Sequence, residues 1–171
     1  MIKKLILTET PLYEGFVKMP NGFEIEKNDL VKNITLSQYY TDIEYPFSKS
    51  WDKLKTYVCE FMYVEHKLKI SPIKSFGNFY EKNEHSKNKL EINFFNLNKN
   101  PDLVLLYGVE IDPNTCEINI YYDTDIIKNK VHLNYLENNK FIIFPASKLY
   151  CINNKNNSFL NFIQTITFKI F

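Results

Sequence analysis

The second half of the chain is a series of short apolar runs separated by turn residues. Runs of about four to eight residues that are rich in β-branched and aromatic side chains are typical of strands. The loop Asp112–Cys116 fits a hairpin between two such runs, because Asp, Pro and Asn favour tight turns. From residue 69 onward the runs predict strands at Ile70–Tyr80, Leu90–Phe95, Leu103–Ile111, Glu117–Tyr122, Lys130–Tyr135, Lys140–Phe144, Leu149–Ile152 and Phe162–Phe171.

The last of these runs differs from the others because both of its faces are substantially apolar. In Phe162–Phe171 the period-two spacing puts Phe and Ile side chains on one face, and Ile163 with two threonines and a lysine on the other. A strand that is buried on both faces reads as apolar on both. We therefore expect the last strand near the middle of a sheet.

The first part of the chain predicts helices that pack on this sheet. Apolar residues recur at helical spacing after Ser48 or Ser50, with Asp52 in the first turn. The members of this stripe are Trp51, Leu54, Val58, Phe61 and Met62. A weaker helical pattern precedes it, with Asn28 or Asp29 as its cap.

The order of these elements predicts the fold class. Residues 37–46 are expected to be irregular, and further strands are expected at Leu5–Leu7 and Leu12–Val17. The 171 residues predict one α+β domain that is mainly β, in which residues 1–69 pack on a β core formed by residues 70–171. Helices followed by about eight strands suit a double-stranded β-helix, or jelly roll, with one or two N-terminal helices.

Composition narrows the classes of partner. The net charge is +1 and the chain contains no arginine, so the guanidinium forks that read phosphates and base edges are missing. Sequence-specific nucleic-acid binding is therefore not expected. The first apolar run is too short to span a bilayer, so no membrane partner is expected. Three scattered cysteines without a CxxC pair are typical of a reducing compartment. They are Cys59, Cys116 and Cys151.

Several short motifs stand in the order that they have in a known enzyme family. Phe76-Gly77-Asn78 precedes the later strands, Phe144-Pro145-Ala146 comes before the last loop, and Phe168 is a late aromatic residue. From Ile70 to Phe171 the chain resembles the phage-type branch of the iron(II)/2-oxoglutarate oxygenases. The resemblance implies a double-stranded β-helix in which two histidines and a carboxylate hold iron(II). It also implies a basic residue that holds 2-oxoglutarate.

The residues at the chemical positions of this family do not match. Tyr150 stands where a metal-binding histidine would be, and Leu90 lies in the segment where His-x-Asp or His-x-His would come. Ile163 and Thr165 stand at the arginine and serine of the family's Arg-x-Ser. The resemblance therefore implies a diverged protein that has lost its metal and co-substrate sites, and we expect neither a metal nor a cofactor.

Other residues could supply chemistry in place of the lost motifs. His85 and Glu91 lie near the expected ligand segment and could form a shifted metal site. His132 cannot be placed beside them from the sequence. Lys169 could hold an anion, although a lysine that reaches solvent is the simpler interpretation. The turn at Asp123–Asp125 carries two carboxylates but lacks the further oxygen ligands that calcium requires.

These observations favour a non-enzymatic protein that acts through its surface. The phage-type resemblance and a Lys, Asn and Ile bias typical of AT-rich genomes indicate a tailed-bacteriophage virion component of the neck, tail or capsid. Its partners would be other virion subunits, and its location would be the virion or the host cytoplasm. The interface candidates are Phe159 and Leu160 in an Asn-rich loop, and the segment Met1–Tyr13.

Two alternative functions stay open at this point. An active iron(II)/2-oxoglutarate hydroxylase with displaced ligands would keep the chemistry of the family, and a metal assay would reveal it. A carbohydrate-binding or receptor-binding jelly roll is the other alternative. The abundance of tyrosine, with 12 residues, is the one hint of it.

Overall fold

The described part of the chain forms two helices and eight strands. The computed structural model describes residues 10–18, 25–39, 49–96, 99–122, 130–156 and 159–171. The predicted strand Leu5–Leu7 lies outside these residues. In chain order the elements are β1 (Tyr13–Phe16), α1 (Lys27–Tyr39), α2 (Lys49–His66), β2 (Ile70–Tyr80), β3 (Leu103–Glu110), β4 (Cys116–Tyr122), β5 (Lys130–Leu136), β6 (Lys140–Pro145), β7 (Leu149–Asn154) and β8 (Asn161–Ile170).

The strands form two antiparallel sheets, as expected for a mainly β fold of the jelly-roll kind. The larger sheet has the order β1-β6-β3-β8-β2, and the smaller sheet has the order β5-β4-β7. After β3, the only two consecutive strands that pair with each other are β4 and β5. Every other connection from β3 to β8 leads from one sheet to the other. The hairpin predicted at Asp112–Cys116 is therefore wrong. Both edges of β3 are already taken by β6 and β8, and the loop carries the chain to the smaller sheet.

β8 lies inside the larger sheet, between β3 and β2, which confirms the interpretation of its two apolar faces. All residues from Asn161 to Phe168 are buried. Phe162 and Ile166 belong to the apolar cluster on the helical side, whereas Ile163 belongs to the cluster between the sheets. β8 therefore contributes to two cores, which we call the helix-side core and the inter-sheet core.

The helix-side core joins the helices to the larger sheet. α1 approaches β2 so closely that a side chain at Gly77 would collide with Ile34. Phe61 packs at the margin of this core. Full burial of one large apolar side chain contributes about 1.5–3 kcal/mol, so the predicted stripe on α2 is sufficient to hold the helix on the sheet. The buried members of the stripe are Trp51, Leu54, Val58 and Met62.

α1 is longer than the sequence predicts. Residues 37–39 are helical rather than irregular, and the rest of that predicted irregular segment up to residue 46 lies outside the described residues. The hydroxyl of Ser37 donates to the carbonyl oxygen of Ile34 at 2.8 Å, so this polar side chain is satisfied within the helix. The hydroxyl of Ser50 accepts a hydrogen bond from the backbone N–H of Glu26 at 3.0 Å, which ties the start of α1 to α2.

The inter-sheet core has a group of buried polar side chains at one end, which we call the amide cluster (Thr115, Asn154 and Asn161). The Nδ2 atom of Asn161 donates to Oδ1 of Asn154 at 3.0 Å and to Oγ1 of Thr115 at 2.9 Å. Its Oδ1 atom accepts from the backbone N–H of Asp112 at 2.7 Å, so the Asn161 amide is fully satisfied. The apolar members of this core include Val104, Leu106, Ile118, Ile120, Ile142, Phe144, Ile152 and Ile163.

The segment between β2 and β3 is not the strand predicted at Leu90–Phe95, and that prediction is wrong. Its described residues make two isolated antiparallel bridges to β7, at His85 and at Lys89. The apolar pattern misleads because Phe94 and Phe95 lie in a turn, where they are 70% and 100% exposed. Apolar residues in a turn can have the same spacing in sequence as those of a strand, although they are not buried.

β1 covers one edge of the larger sheet and is held by side-chain contacts as well as by β6. The ring of Tyr13 lies 4.5 Å from the ring of His66 at the end of α2, measured between centroids. Oε2 of Glu14 accepts from Nδ2 of Asn134 at 2.7 Å and lies 3.5 Å from Nζ of Lys140. The N-terminal part of the described chain is therefore tied to both sheets.

Two further features concern the cysteines and the helices. Cys59 is half-buried, Cys116 and Cys151 are buried, and all three are free thiols. Neither α1 nor α2 has the length and apolar character that a membrane crossing requires.

Candidate functional site

The start of β7 is the place where the structure brings together several of the predicted site residues. Lys89 and Tyr150 exchange two backbone hydrogen bonds, with N to O distances of 2.7 and 3.0 Å. This pairing fixes the segment around Leu90 beside β7, although it is not a regular strand. Leu90 itself is half-buried. The family's two metal-binding segments, as aligned in the sequence, are therefore neighbours in the structure.

Tyr150 is fully buried and its hydroxyl is engaged. The hydroxyl donates to Oε1 of Glu91 at 2.8 Å, and the ring lies 5.2 Å from the ring of Phe144 in an edge-to-face arrangement. Burial, together with the negative charge of Glu91, raises the pKa of the Tyr150 hydroxyl well above its ordinary range. Tyr150 is therefore a neutral phenol that donates a hydrogen bond at any physiological pH.

Lys89 and Tyr80 extend this group of polar side chains. Nζ of Lys89 donates to the hydroxyl of Tyr80 at 2.8 Å and lies 5.4 Å from the centroid of its ring. Burial raises the pKa of Tyr80 and lowers the pKa of Lys89. We call Tyr80, Lys89, Glu91 and Tyr150 the tyrosine network.

Sequence reasoning identified Glu91 and Tyr150 but missed Tyr80 and Lys89. A signal for Lys89 was present, because Lys89 and Glu91 flank Leu90 with the period-two spacing of an extended segment, which turns both to the same side. No comparable signal existed for Tyr80, because its contact with Lys89 depends on how the chain returns after β2.

The positions predicted on β8 lie at different depths in the inter-sheet core. Ile163 is opposite Gly108 and Thr165 is opposite Leu106, and both Ile163 and Thr165 are buried. Thr167 is opposite Val104, which in turn pairs with Phe144, the residue whose ring contacts Tyr150. By register, Thr167 rather than Ile163 is therefore level with Tyr150.

Lys169 lies beyond these residues and already has an acidic partner. Its Nζ atom is 3.3 Å from Oδ1 of Asp102 and donates to the carbonyl oxygen of Asn100 at 3.1 Å. The lysine and the carboxylate are both partly exposed, so the pair is a surface contact of modest strength. An anion at Lys169 would have to compete with Asp102.

The predicted metal candidates are engaged in separate contacts. Nδ1 of His85 lies 3.2 Å from Oδ1 of Asn153, whereas Glu91 accepts from Tyr150. His132 is exposed on β5 and lines an apolar pocket of about 170 Å³ with residues of the N-terminal segment, β4 and β6. Among the described residues there is no group of three or more His, Cys, Asp or Glu side chains that could hold a metal ion. The turn at Asp123–Asp125 lies outside them.

The predicted interface residues are exposed. Phe159 and Leu160 are 74% and 39% accessible to solvent, so they do not pack inward at the start of β8. The backbone N–H of Phe159 donates to Oδ2 of Asp112 at 3.2 Å, which anchors the end of this loop beside the amide cluster. Their role as an interface remains a prediction. Most of the other candidate segment, Met1–Tyr13, lies outside the described residues.

Comparisons with known proteins show the fold of the chain. No protein-family profile and no curated protein matches the sequence. A prolyl-4-hydroxylase from Pseudomonas putida is similar in structure, with a TM-score of 0.63 and 6% identity over 94% of this chain and 92% of that one. AviO1 from Streptomyces viridochromogenes has a TM-score of 0.61 and 11% identity, covering 94% of this chain and 90% of that one.

A third structure agrees with these two. It is an oxidoreductase of the 2OG-Fe(II) oxygenase family from Burkholderia pseudomallei, with a TM-score of 0.53 and 8% identity. The match covers 74% of this chain and 61% of that one. At such identities the likeness concerns the fold alone, which is oxygenase-like.

Proposed function

We propose that this protein is a non-enzymatic interaction protein built on an oxygenase-like scaffold that has lost its metal and co-substrate sites. The observation that carries the proposal is the contact between Tyr150 and Glu91. A buried phenol stands at the aligned position of a metal-binding histidine, and it donates a hydrogen bond to the carboxylate of Glu91 at 2.8 Å. The aligned position of one metal ligand is thereby bonded to Glu91, a carboxylate beside the expected segment of the others.

The fold assignment within this proposal is a double-stranded β-helix. Its support is the way in which the chain alternates between the two sheets from β3 to β8. The bridges of His85 and Lys89 to β7 add a partial fourth strand to the smaller sheet. Apart from β1, the larger sheet has four strands and carries the helices, and the smaller sheet has three strands and this partial fourth. This arrangement fits that topology.

The side chains at the aligned metal site do not suit iron(II). A facial iron(II) site requires two imidazoles and one carboxylate, and the tyrosine network offers two phenols, an ammonium and a carboxylate. The raised pKa values of Tyr80 and Tyr150 disfavour their phenolate forms, which would be the metal-binding forms.

The aligned co-substrate positions also argue against 2-oxoglutarate. Ile163 and Thr165 are buried and carry no positive charge, so neither can pair with a carboxylate. Lys169, the nearest cation on β8, pairs with Asp102. The scaffold would therefore hold neither partner of the oxygenase reaction.

A metal and turnover assay tests the proposal and its main alternative together. The alternative is an active hydroxylase with displaced ligands, and the likeness to oxygenase structures is what favours it. Purified protein would be titrated with iron(II) under anaerobic conditions and then assayed for succinate release from 2-oxoglutarate, with an active prolyl-4-hydroxylase as positive control. We expect no stoichiometric iron and no succinate above background. Stoichiometric iron bound through His85 or His132, or succinate release above background, would overturn the proposal.

We further propose that the protein acts as a tailed-bacteriophage virion component through contacts with other virion subunits. The support is the phage-type resemblance of Phe144-Pro145-Ala146 and the exposure of Phe159 and Leu160 beside a polar loop. Large apolar groups on a polar rim are frequent interface anchors. The protein would occur in the virion or in the host cytoplasm.

Mass spectrometry of purified particles tests this assignment. We expect the wild-type protein in the particles and Phe159→Ser absent from them or strongly depleted. Phe95→Ser is the matched control, because Phe95 is even more exposed but lies in a different loop. Absence of the wild-type protein from particles would refute the virion assignment, and equal incorporation of both variants would refute the interface at Phe159.

A further inference from the structure

An apolar pocket lies on the β5 side of the inter-sheet core, beside the N-terminal segment. It has a volume of about 170 Å³, and we call it the His132 pocket. Its apolar lining consists of Pro11, Leu12, Ile120 and Phe144. Ile120 and Phe144 are buried members of the inter-sheet core, and Leu12 packs against that core from the N-terminal segment. The pocket is therefore a space between the two sheets that the N-terminal segment borders on one side.

The strand register explains why the pocket residues face one another. Ile120 and His132 are opposite each other on β4 and β5, so their side chains lie on the same face of the smaller sheet. Tyr122 follows Ile120 by two positions in β4 and shares that face. Phe144 belongs to the larger sheet. The two sheets therefore supply opposite walls of the pocket.

The His132 pocket is separate from the aligned metal and co-substrate positions. In the smaller sheet Tyr150 pairs with Ile120 on one side and with Lys89 on the other, so β7 lies between the pocket and the aligned metal segment. Tyr150 contacts the wall residue Phe144 but does not line the pocket. In the larger sheet β3 lies between β6, which carries Phe144, and β8, which carries the aligned co-substrate positions. The positions of the lost chemistry therefore do not account for this pocket.

The size and the walls of the pocket indicate a ligand with one aromatic ring. A cavity of about 150 Å³ lined by Leu, Ile and Phe side chains stays dry and binds benzene. The His132 pocket has a similar volume, and Leu12, Ile120 and Phe144 provide the same types of side chain. Transfer of the ring from water to these walls is favourable in proportion to the apolar area that is buried.

Polar groups at the edge of the pocket indicate a substituent on this ring. Thr10, Tyr122 and His132 complete the lining, and none of them is fully buried. Within the described part of the chain, the Tyr122 hydroxyl and the His132 ring have no hydrogen-bond partner, so both are available to a ligand. The lining contains no Lys, Asp or Glu, so an ionised ligand would lose hydration without a fixed counter-charge. A hydroxyl is neutral and can both donate and accept, so it suits these groups better.

We propose that the His132 pocket binds a small neutral phenol. The ring lies against Ile120 and Phe144, and the hydroxyl forms hydrogen bonds with Tyr122 and His132. The binding is non-covalent and needs neither a metal nor 2-oxoglutarate, so the proposal is independent of the proposed loss of oxygenase chemistry.

A titration of the intact protein by nuclear magnetic resonance tests the proposal. The probe is p-cresol, and p-xylene is the matched ligand that has the same shape but lacks the hydroxyl. We expect saturable binding of p-cresol below about 1 mM, with shift changes at Ile120 and Phe144. The affinity for p-xylene should be lower by about threefold or more, because it cannot form the hydrogen bonds. Absence of saturation, or equal affinity for the two ligands, would overturn the proposal.

Two further ligands test the size of the pocket and the source of the phenol. 2-Naphthol has a second ring, and N-acetyltyrosinamide has the same phenol attached to a peptide backbone. Each should bind at least about tenfold more weakly than p-cresol, because the volume accommodates one ring only. Tighter binding of 2-naphthol would contradict the single-ring class. Tighter binding of N-acetyltyrosinamide would assign the pocket to a tyrosine of a partner chain and overturn the small-molecule proposal.

Variants of the lining connect the binding to this pocket. Leu12→Trp places a larger side chain in the wall and should abolish p-cresol binding. Tyr122→Phe combined with His132→Leu alters two positions that are not fully buried, and it should remove the preference for p-cresol over p-xylene. The control is Tyr121→Phe combined with His85→Leu, which makes the same changes on the other face of β4 and outside the pocket, and should bind p-cresol as the wild type does. A preference that persists in the first double variant, or that disappears in the control, would refute the site.

Discussion

The two buried polar groups of the inter-sheet core differ in kind. In the amide cluster every partner is neutral, and Asn161 satisfies all of its bonds within the protein. The tyrosine network instead consists of ionisable groups, and its cation and carboxylate bond to phenols rather than to each other. Burying neutral amides that are fully bonded serves stability, whereas burying ionisable groups costs solvation. The comparison therefore assigns a stabilising role to the amide cluster. The tyrosine network has no such stabilising explanation, so a chemical role, present or lost, is the better account of it.

The largest expected effect comes from breaking the amide cluster. Asn161→Leu would leave Thr115, Asn154 and the N–H of Asp112 without their buried partner, at about 1–3 kcal/mol for each unsatisfied group. We therefore expect a loss of about 3 kcal/mol or more in the free energy of unfolding, measured by urea denaturation. Asn153→Leu, at the half-buried neighbouring position of β7 whose side chain has a single contact with exposed His85, is the control and should cost less. A loss of under about 1 kcal/mol in Asn161→Leu would contradict the structural role.

Removing one hydroxyl from the tyrosine network should cost less. Tyr150→Phe keeps the ring contact with Phe144 and deletes the hydrogen bond to Glu91, and a hydrogen bond to a charged group contributes about 1.5–3 kcal/mol. We expect a loss at the lower limit of this range, because Glu91 is half-buried and water can replace the phenol. Tyr63→Phe, at an exposed position of α2, should be neutral in the same thermal or urea titration. If Tyr150→Phe is also neutral, the contact with Glu91 has no energetic weight.

Replacing the buried ammonium sharpens the comparison further. Lys89→Met retains the aliphatic stem and removes the charge, and replacing buried charged groups by apolar side chains is often neutral or stabilising. The free energy of unfolding should change by no more than about 0.5 kcal/mol or should increase. A loss of more than about 1 kcal/mol, measured beside Lys87→Met, would mean that Lys89 is retained for stability after all.

The smallest expected effect concerns a carboxylate that belongs to neither group. The hydrogen bond from Asn134, supported by the charges of Lys140 and His132, lowers the pKa of Glu14 below its ordinary value of 4.5. A carboxyl whose pKa is lower in the folded state stabilises the fold above its unfolded pKa and loses that contribution as the pH falls through its folded pKa. Glu14→Gln should therefore flatten the pH dependence of the melting temperature below about pH 4.5 and leave it unchanged elsewhere. A uniform shift at all pH values would contradict this assignment.

Most helices and strands could be predicted from the sequence, because the spacing of apolar residues follows which residues are buried. The ranges of β2, β6 and β8 agree with the predicted runs to within about one residue. For β6 and β8 this is expected because both faces are buried, and the edge strand β2 agrees although several of its residues are exposed. Leu90–Phe95 shows the limit of the method, since its alternation continues into a turn whose phenylalanines face solvent. The hairpin at Asp112–Cys116 failed for another reason. Turn chemistry identifies a reversal of the chain but does not say which sheet the next strand joins.

The candidate site was predictable only as far as it follows a single stretch of chain. Tyr150 could be identified by alignment with a motif, but its bond to Glu91 joins residues 59 positions apart in sequence. Tyr80 and Lys89 are closer in sequence, yet no motif contains them, and their contact depends on the irregular segment after β2. The motif alone also could not predict which residue of β8 lies nearest to Tyr150. The register pairs Thr167 with Val104, whose partner on its other side, Phe144, contacts the ring of Tyr150.

The scarcity of glycine has a consequence for engineering the chain. There are only 4 glycines, and the described ones lie in strands where an added side chain would meet a neighbour, as at Gly15 against Phe141. Among the described residues, left-handed backbone positions, which glycine usually fills, are taken by Lys67 and otherwise by asparagine. These asparagines are Asn83, Asn114, Asn139 and Asn156.

Asparagine at a left-handed position can therefore be replaced by glycine, whereas the strand glycines cannot be replaced by asparagine. Asparagine pays a conformational penalty for a positive φ that glycine does not, so a glycine at Asn114 would relax the turn. Asn139 and Asn83 are exceptions, because their side chains accept hydrogen bonds. Asn139 accepts from the Tyr107 hydroxyl at 2.8 Å, and Asn83 accepts from the backbone N–H of Asn156 at 2.9 Å. A library aimed at thermal robustness should therefore vary the turns and leave the strand glycines untouched.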